Sequence, residues 1–368
     1  MHAANVLISG AGVAGATLAY WLARHGLRPT IVERSAGQRS SGNPVDVRGP
    51  ALPVVEAMGV LPALRGAATN ATRMAVLDAA GRRVAVLPLS DGGGDEVEVP
   101  RADLAGVLHG AARDEAEILY DDTITALDQD EHGIDVTFER SAPRRFDLVI
   151  GADGLHSAVR RITFGPEQEF ARPIGLYVAT TTLTEPADDP RTVLIQNAPG
   201  RMASVHPGRG RAISAFIFRG QGAPFDAREP ERQKAFVAQA YAGLGWRVPE
   251  LIGRFEAADD VFFDAVSVVD LPSWSRGRIT LLGDAASCVS LLGDGSSLAI
   301  AGASTLAGAL AATDDHGAAF AAYERSHRPL VSAKQRGVGR SAAVLVPKTR
   351  TGLAVRNLIA RVASGSSR

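Results

Sequence analysis

Gly10, Gly12 and Gly15 stand in the run GAGVAG, directly after the apolar pentapeptide Asn5 to Ser9. That spacing suits a phosphate-bearing ligand. The first glycine permits a tight turn, the second lets the backbone approach a pyrophosphate at a helix N-terminus, and the third lets the helix lie close on the sheet, with Ala14 in the same turn. Glu33 ends the next apolar run, PTIVE, where a carboxylate can accept hydrogen bonds from a ribose hydroxyl. Strand, turn, helix, strand and acid are in register, so a dinucleotide site is expected; which dinucleotide is open from these residues alone. A second constellation, DLVIGADGLHSAVR at 147–160, ends a buried strand in Asp153 and Gly154. Taken alone, it reads as a strand-to-helix turn with an aspartate cap. A third, LLGDAASCVSLLGDGSSLAIAGA at 281–303, puts Asp284 at the end of another buried strand. There Gly293 and Gly295 precede a helix expected to start near Ser296, so the loop can offer backbone N–H groups to a polar ligand.

Other residues carry less. His156, His206 and His327 are scattered without metal-ligand spacing, so no metal site is expected. Cys288 reads as a small core thiol, and there is no nucleophile elbow. GVGRSA at 337–342 mimics a dinucleotide turn but follows no strand, so helical packing accounts for it. Gln196, His206 and Arg219 lie on predicted strands, as surface or as ligand groups.

The elements that must position these groups are an α/β set. The 368 residues suggest two domains. Residues 101–119 have helical spacing, with Leu104, Leu108 and Ala112 on one face. β-type segments follow near Thr123 to Leu127 and Ile134 to Phe138. Residues 170–274 alternate as a mostly antiparallel sheet with one helical stretch near 229–243, and 318–368 reads as helical with breaks at Pro329 and Pro347. The expected division is discontinuous: 1–75, 100–170 and 275–330 form the nucleotide domain, 76–99 and 171–274 a β-rich substrate domain, and 331–368 a C-terminal helical segment. Hydrophobic residues at 46% and charged residues at 21% exclude wholesale disorder. A net charge of -1 leaves no field for nucleic acid. A single cysteine precludes an intramolecular disulfide, no signal-type segment follows Met1, and no apolar run reaches the roughly 18 residues of a membrane span, so a cytoplasmic protein without a span is expected.

The three motifs, in this order and with VPRADLAGVL at 99–108, resemble the flavin-dependent monooxygenases of the para-hydroxybenzoate hydroxylase type. That group A family includes salicylate hydroxylases, tetracycline-inactivating monooxygenases and zeaxanthin epoxidase. The resemblance covers roughly residues 5–330 and implies a Rossmann-like FAD-binding domain. It implies that GAGVAG with Glu33 and Arg34 holds the AMP half of FAD, that Arg101 reaches the cofactor, and that Asp153 and Gly154 form the motif shared by FAD and the nicotinamide cofactor. Asp284 would bind the ribityl chain, the backbone at Gly293 to Ser296 would lie near the pyrimidine end of the flavin, and GNPVDVRGPA at 42–51 would run past the isoalloxazine with Asp46 and Arg48 as flavin-proximal polar groups. It further implies reduction by NADPH or NADH, addition of O2 at flavin C4a, and delivery of one oxygen atom by the hydroperoxide to a small or medium, aromatic or polyketide-like substrate. No residue is singled out as a general base.

The sequence departs from the family after GDAA, where an aromatic or His and a proline-containing stretch are usual. Here Ser287 follows and no proline appears before Gly295. Leu291 and Leu292 are therefore expected to face the substrate, in a pocket lined by Leu194, Ile195, Phe216 and Phe218. The same departure keeps open a protein that uses FAD as a scaffold for non-redox cyclisation or rearrangement; a more distant alternative is an FAD-dependent reductase or dehydrogenase that never traps oxygen. Oligomeric state is open.

Overall fold

The computed structural model describes residues 4–37, 44–89, 96–220, 229–288 and 294–365. A six-stranded sheet forms one layer. Its order is Ser275–Arg276, Ile279–Leu281, Leu148–Gly151, Asn5–Ser9, Arg28–Glu33 and Glu117–Tyr120, parallel except for the first strand. These strands are short and apolar because both faces are covered: Val6, Leu7, Ile8, Leu148, Val149 and Ile150 have no exposed surface. The helix Val13–Arg24 packs on the helix Asp294–Ala311, while Gly302 on the latter lets His327 of the C-terminal part come close. The helix Arg101–Arg113 buries Leu104, Leu108 and Ala112 on the expected face but ends six residues earlier than the spacing suggested.

A seven-stranded sheet forms the second layer, in the order Val261–Val269, Ala171–Thr182, Ile213–Arg219, Arg201–His206, Thr192–Ala198, Arg73–Leu77 and Arg83–Pro88. Only the pair Thr192–Ala198 with Arg73–Leu77 is parallel. A three-stranded antiparallel sheet, Ile124–Gln129, Ile134–Phe138 and Arg144–Phe146, is an excursion from the first layer, and the ribbon Val45–Arg48 with Glu96–Val99 links the layers. The second layer carries two helices, Pro230–Tyr241 and Val248–Ala257; the second was not anticipated.

The C-terminal part departs from expectation at Pro329. This residue lies inside one continuous helix, His316–Leu345, instead of breaking it. A mid-helix proline costs about 3 kcal/mol, and here Phe320, Tyr323, His327 and Val331, buried on both sides of it, hold the helix through the defect. Pro347 does separate that helix from Arg350–Gly365, and GVGRSA is helical. Among the described residues no helix is long and apolar enough to cross a membrane.

Candidate functional site

The turns after Ser9, Gly151 and Leu281 open at one edge of the parallel sheet because their strands run side by side in the same direction. Gly10 has φ +103°, and a Cβ there would lie 2.6 Å from the Ala152 carbonyl oxygen; one on Gly15 would collide with the Gly10 carbonyl. Both positions therefore demand glycine. Gly12 caps the helix Val13–Arg24 without any side-chain hydrogen bond, and no atom of the described residues lies within 4 Å of where its Cβ would be. Glu33 braces this turn, Oε2 accepting from the Ala11 N–H at 2.8 Å and Oε1 from the Ser35 N–H at 2.9 Å. Arg34, beside it, is exposed.

Gly283, at φ +63°, approaches Ala14, whose Cβ is 3.0 Å from the position a Cβ would take. The next residue, Asp284, opens a one-turn helix and is half-buried. Burial raises its carboxyl pKa, against the Arg101 charge and a hydrogen bond to Cys288, while the charge of Asp264 raises it further. Arg101, at the start of its helix, is exposed and donates no hydrogen bond among the described residues. A carboxylate, a cation and a second carboxylate from three distant segments thus share one neighbourhood.

Asp153 has a different employment from its sequence neighbours. Its carboxylate accepts from the Ser9 hydroxyl at 3.2 Å, the N–H groups of Ala158 and Val159 at 2.8 and 3.2 Å, and the Ser157 hydroxyl. It takes up the first two N–H groups of the helix Ala158–Thr163, whose N-cap is Ser157 with its hydroxyl accepting from the Arg160 N–H at 3.0 Å, and ties that helix to the first strand; Gly154 (φ +79°) turns the chain beside it. What this turn offers a ligand is backbone. Arg160, wholly buried, donates to Ala285 O at 3.0 Å, Leu155 O and Glu167 Oε2 at 3.3 Å, locking the Asp153 turn to the Asp284 turn.

Asp46 and Arg48 come together with the helix Asp294–Ala311. The Arg48 guanidinium donates to Asp294 Oδ1 at 2.8 and 3.1 Å and lies 3.4 Å from Asp46. Ser297 Oγ donates to Asp46 O at 2.7 Å and accepts from the Arg48 N–H at 3.0 Å. Lys334 Nζ completes the cluster, 3.0 Å from Asp294 Oδ2. Burial raises the Asp46 pKa, with Arg48 opposing. Gly295 and Ser296 are helical, in the helix described from Asp294 onward. Gly293, Leu291, Leu292 and the first two residues of 42–51 lie outside the described residues.

The large sheet presents two unlike faces. Phe216 and Phe218, expected in the pocket, instead pack with Ala203, Val205, Tyr241, Leu251 and Phe255 beneath the two helices, and Leu194 goes with them. Strand alternation sends Ile195, Met202, Ser204, His206, Ala215, Ile217, Val178 and Thr180 to the opposite face, together with Phe262 and Asp264. This face looks toward the strand-end turns: His156 Nε2 lies 3.3 Å from Asp264 while its Nδ1 lies 3.0 Å from Glu167. Hydrogen bonds to Asp264 and Glu167 hold the His156 pKa up at about 10, against burial. On the same face Ser204 Oγ meets His206 Nε2 at 3.0 Å, and burial lowers the His206 pKa to about 4. His206 Nδ1 and Thr180 Oγ1 are buried without a hydrogen-bond partner among the described residues. Arg219 is spent on the helix end, donating to Val346 O and Ala342 O. Arg160, Asp264, Asp294, Ser297, Thr180 and Ser204 had no local signature in the sequence. The pairing of Asp294 with Arg48, 246 residues away, is invisible in one dimension. No cluster of His, Cys, Asp and Glu among the described residues is arranged for a metal.

An extended dinucleotide suits this donor set. Among the described residues there is open space beside Gly12, the first helix has no side-chain cap, and two half-buried carboxylates, Glu33 and Asp284, flank the turn. Comparison with known proteins agrees. Residues 3–334 match the FAD binding domain family. A flavin-dependent monooxygenase of Legionella longbeachae is 33% identical, with 93% of this chain and 90% of the relative covered. A Mycobacterium tuberculosis protein described as uncharacterised is 40% identical over 90% of this chain and 91% of its own. The crystal structure of the tetracycline destructase Tet(55) superposes with a TM-score of 0.85 at 33% identity, covering all of this chain and 97% of that one. Klebsiella pneumoniae HpxO, crystallised with FAD and uric acid, shares the fold with a TM-score of 0.80 at 22% identity, over 99% and 94% of the two chains.

Proposed function

Since this chain belongs to the FAD binding domain family and is an FAD-dependent monooxygenase of the para-hydroxybenzoate hydroxylase type, we propose that it inserts one oxygen atom from O2 into a small or medium aromatic or polyketide-like substrate, with NADPH or NADH as transient reductant. When bound, FAD supplies electron transfer from the nicotinamide and activation of dioxygen. The chain supplies the rest. In this reading residues 1–75, 100–170 and 275–330 hold the cofactor, 76–99 and 171–274 the substrate, and 331–368 braces both.

The observation that carries the reading is the convergence of the glycine turn, Asp284 and Arg101 at the strand ends, opposite a sheet face that bears buried polar atoms without a hydrogen-bond partner among the described residues. Gly10, Gly12, Ala14 and Gly15 would cradle the pyrophosphate, with Glu33 and Arg34 toward the adenosine end. Asp284 would accept from ribityl hydroxyls, with the Arg101 charge opposing the rise that burial gives its pKa. Gly154 and the Asp153 turn would offer backbone groups, and Gly295 and Ser296 would lie along the flavin ring. Asp46 acts through Arg48, which fixes the start of the helix Asp294–Ala311. On the sheet, His206, neutral because it is buried, would orient the substrate through Nδ1 while Ser204 holds its other nitrogen. Thr180 would offer a hydroxyl beside it. Shielding by both layers keeps water from the reacting centre.

Candidate aromatic and polyketide compounds should stimulate NAD(P)H consumption under air, and with labelled dioxygen the product should carry one labelled oxygen. Turnover that proceeds equally under argon, or a product without label, would overturn the proposal.

A further inference from the structure

The 44 residues from Arg325 to Arg368 contain ten Lys and Arg and no Asp or Glu. The 324 residues before them hold 29 basic and 40 acidic side chains, so a net charge of -1 conceals a strong separation along the chain. Inside the basic stretch, the helix Arg350–Gly365 turns one side to the strand Arg83–Pro88, where Ala360 is buried and Ser364 exchanges hydrogen bonds with Val86. Its other side carries Val355, Leu358, Ile359 and Val362, each more than half exposed. Spacing of three, four and seven residues aligns them as one apolar stripe. In the same basic stretch, Arg336, Arg340, Lys348, Arg350 and Arg361 are exposed and form no ion pair among the described residues.

We infer that this C-terminal surface docks on an anionic lipid bilayer, the stripe entering the interface and the cations meeting lipid phosphates. Charge selects the occupant. A second copy placed stripe to stripe would bring Lys348, Arg350 and Arg361 of both chains together, with no carboxylate in either segment to offset them. A phosphate-rich surface supplies that missing negative charge and accepts an apolar stripe without needing a matched shape. The helix does this while still packed on its strand, lying in the membrane plane. The inference is independent of the substrate assignment.

The test uses the full, flavin-loaded chain and sedimentable vesicles of phosphatidylcholine alone or mixed equally with phosphatidylglycerol. The protein should sediment with the mixed vesicles only, and high salt should release part of it. Arg350→Gln with Arg361→Gln should lower the partition about 25-fold, about fivefold per charge. Leu358→Ser with Ile359→Ser should abolish it. Because these side chains are exposed, both variants should keep the parent's circular dichroism and flavin absorbance. Three results would overturn the inference: no preference for the anionic vesicles, equal binding by the parent and both variants, or a parent dimer that the Leu358→Ser, Ile359→Ser protein loses, which would give the stripe to a second copy.

Discussion

Replacing Asp284 by Ala separates a cofactor ligand from a residue that merely holds its own turn. In the free protein this carboxylate is half-buried and its pKa is raised by desolvation, with Arg101 and Cys288 offsetting only part of that. Its removal therefore costs the empty fold little: the Cys288 hydrogen bond, about 1 kcal/mol, is set against relief of the desolvation. With FAD bound, a carboxylate accepting ribityl hydroxyls contributes about 1.5–3 kcal/mol, roughly ten- to a hundredfold in Kd. A tenfold weaker Kd at fixed excess FAD removes about 1.4 kcal/mol of ligand stabilisation. At about 1.3 °C per kcal/mol for a chain of 368 residues, the gap between flavin-loaded and flavin-free melting midpoints should narrow by about 2 °C, and by about twice that for a hundredfold loss. Differential scanning fluorimetry of both forms, with FAD titration of the stripped protein, reads each quantity separately. An unchanged Kd, or a stripped Asp284→Ala protein that loses as many degrees as the loaded one, would refute the reasoning.

Three further outcomes are expected. Gly15→Ala should give protein without flavin and with a lowered melting midpoint, since the new methyl collides with the Gly10 backbone carbonyl; flavin content per chain and circular dichroism check this. His156, with its pKa raised to about 10, contributes stability that is fully present below about pH 6.5 and is lost as pH rises through about 10. The parent's melting midpoint should accordingly fall toward alkaline pH with a slope that His156→Gln lacks, and identical slopes would count against the Asp264 and Glu167 contacts. His206→Ala should leave FAD affinity unchanged but raise KM or uncouple NAD(P)H oxidation into hydrogen peroxide; unchanged coupling would place the substrate elsewhere.

The strand, glycine turn and helix at residues 5–24, and the acid ending the next strand, were readable in the sequence because their causes are local. Glycine is required where φ is positive or a backbone carbonyl presses close, and short apolar runs suit strands covered on both faces. The part Asp153 takes in starting the helix Ala158–Thr163 was legible for the same reason, since its partners lie within six residues apart from Ser9, although the N-cap position itself belongs to Ser157. Alternation along Ile213–Arg219 announced a two-faced strand but could not say which face meets the cofactor. The aromatic residues went beneath helices Pro230–Tyr241 and Val248–Ala257, and the small polar ones to the cleft. Helix-breaking by Pro329 was likewise a local rule, overridden by buried residues on either side. The Arg48–Asp294 ion pair, the His156 bridge to Asp264 and the Arg160 lock on Ala285 join segments more than a hundred residues apart. Those contacts depend on how two layers pack, and burial energy is indifferent to separation along the chain, so only the tertiary structure decided them.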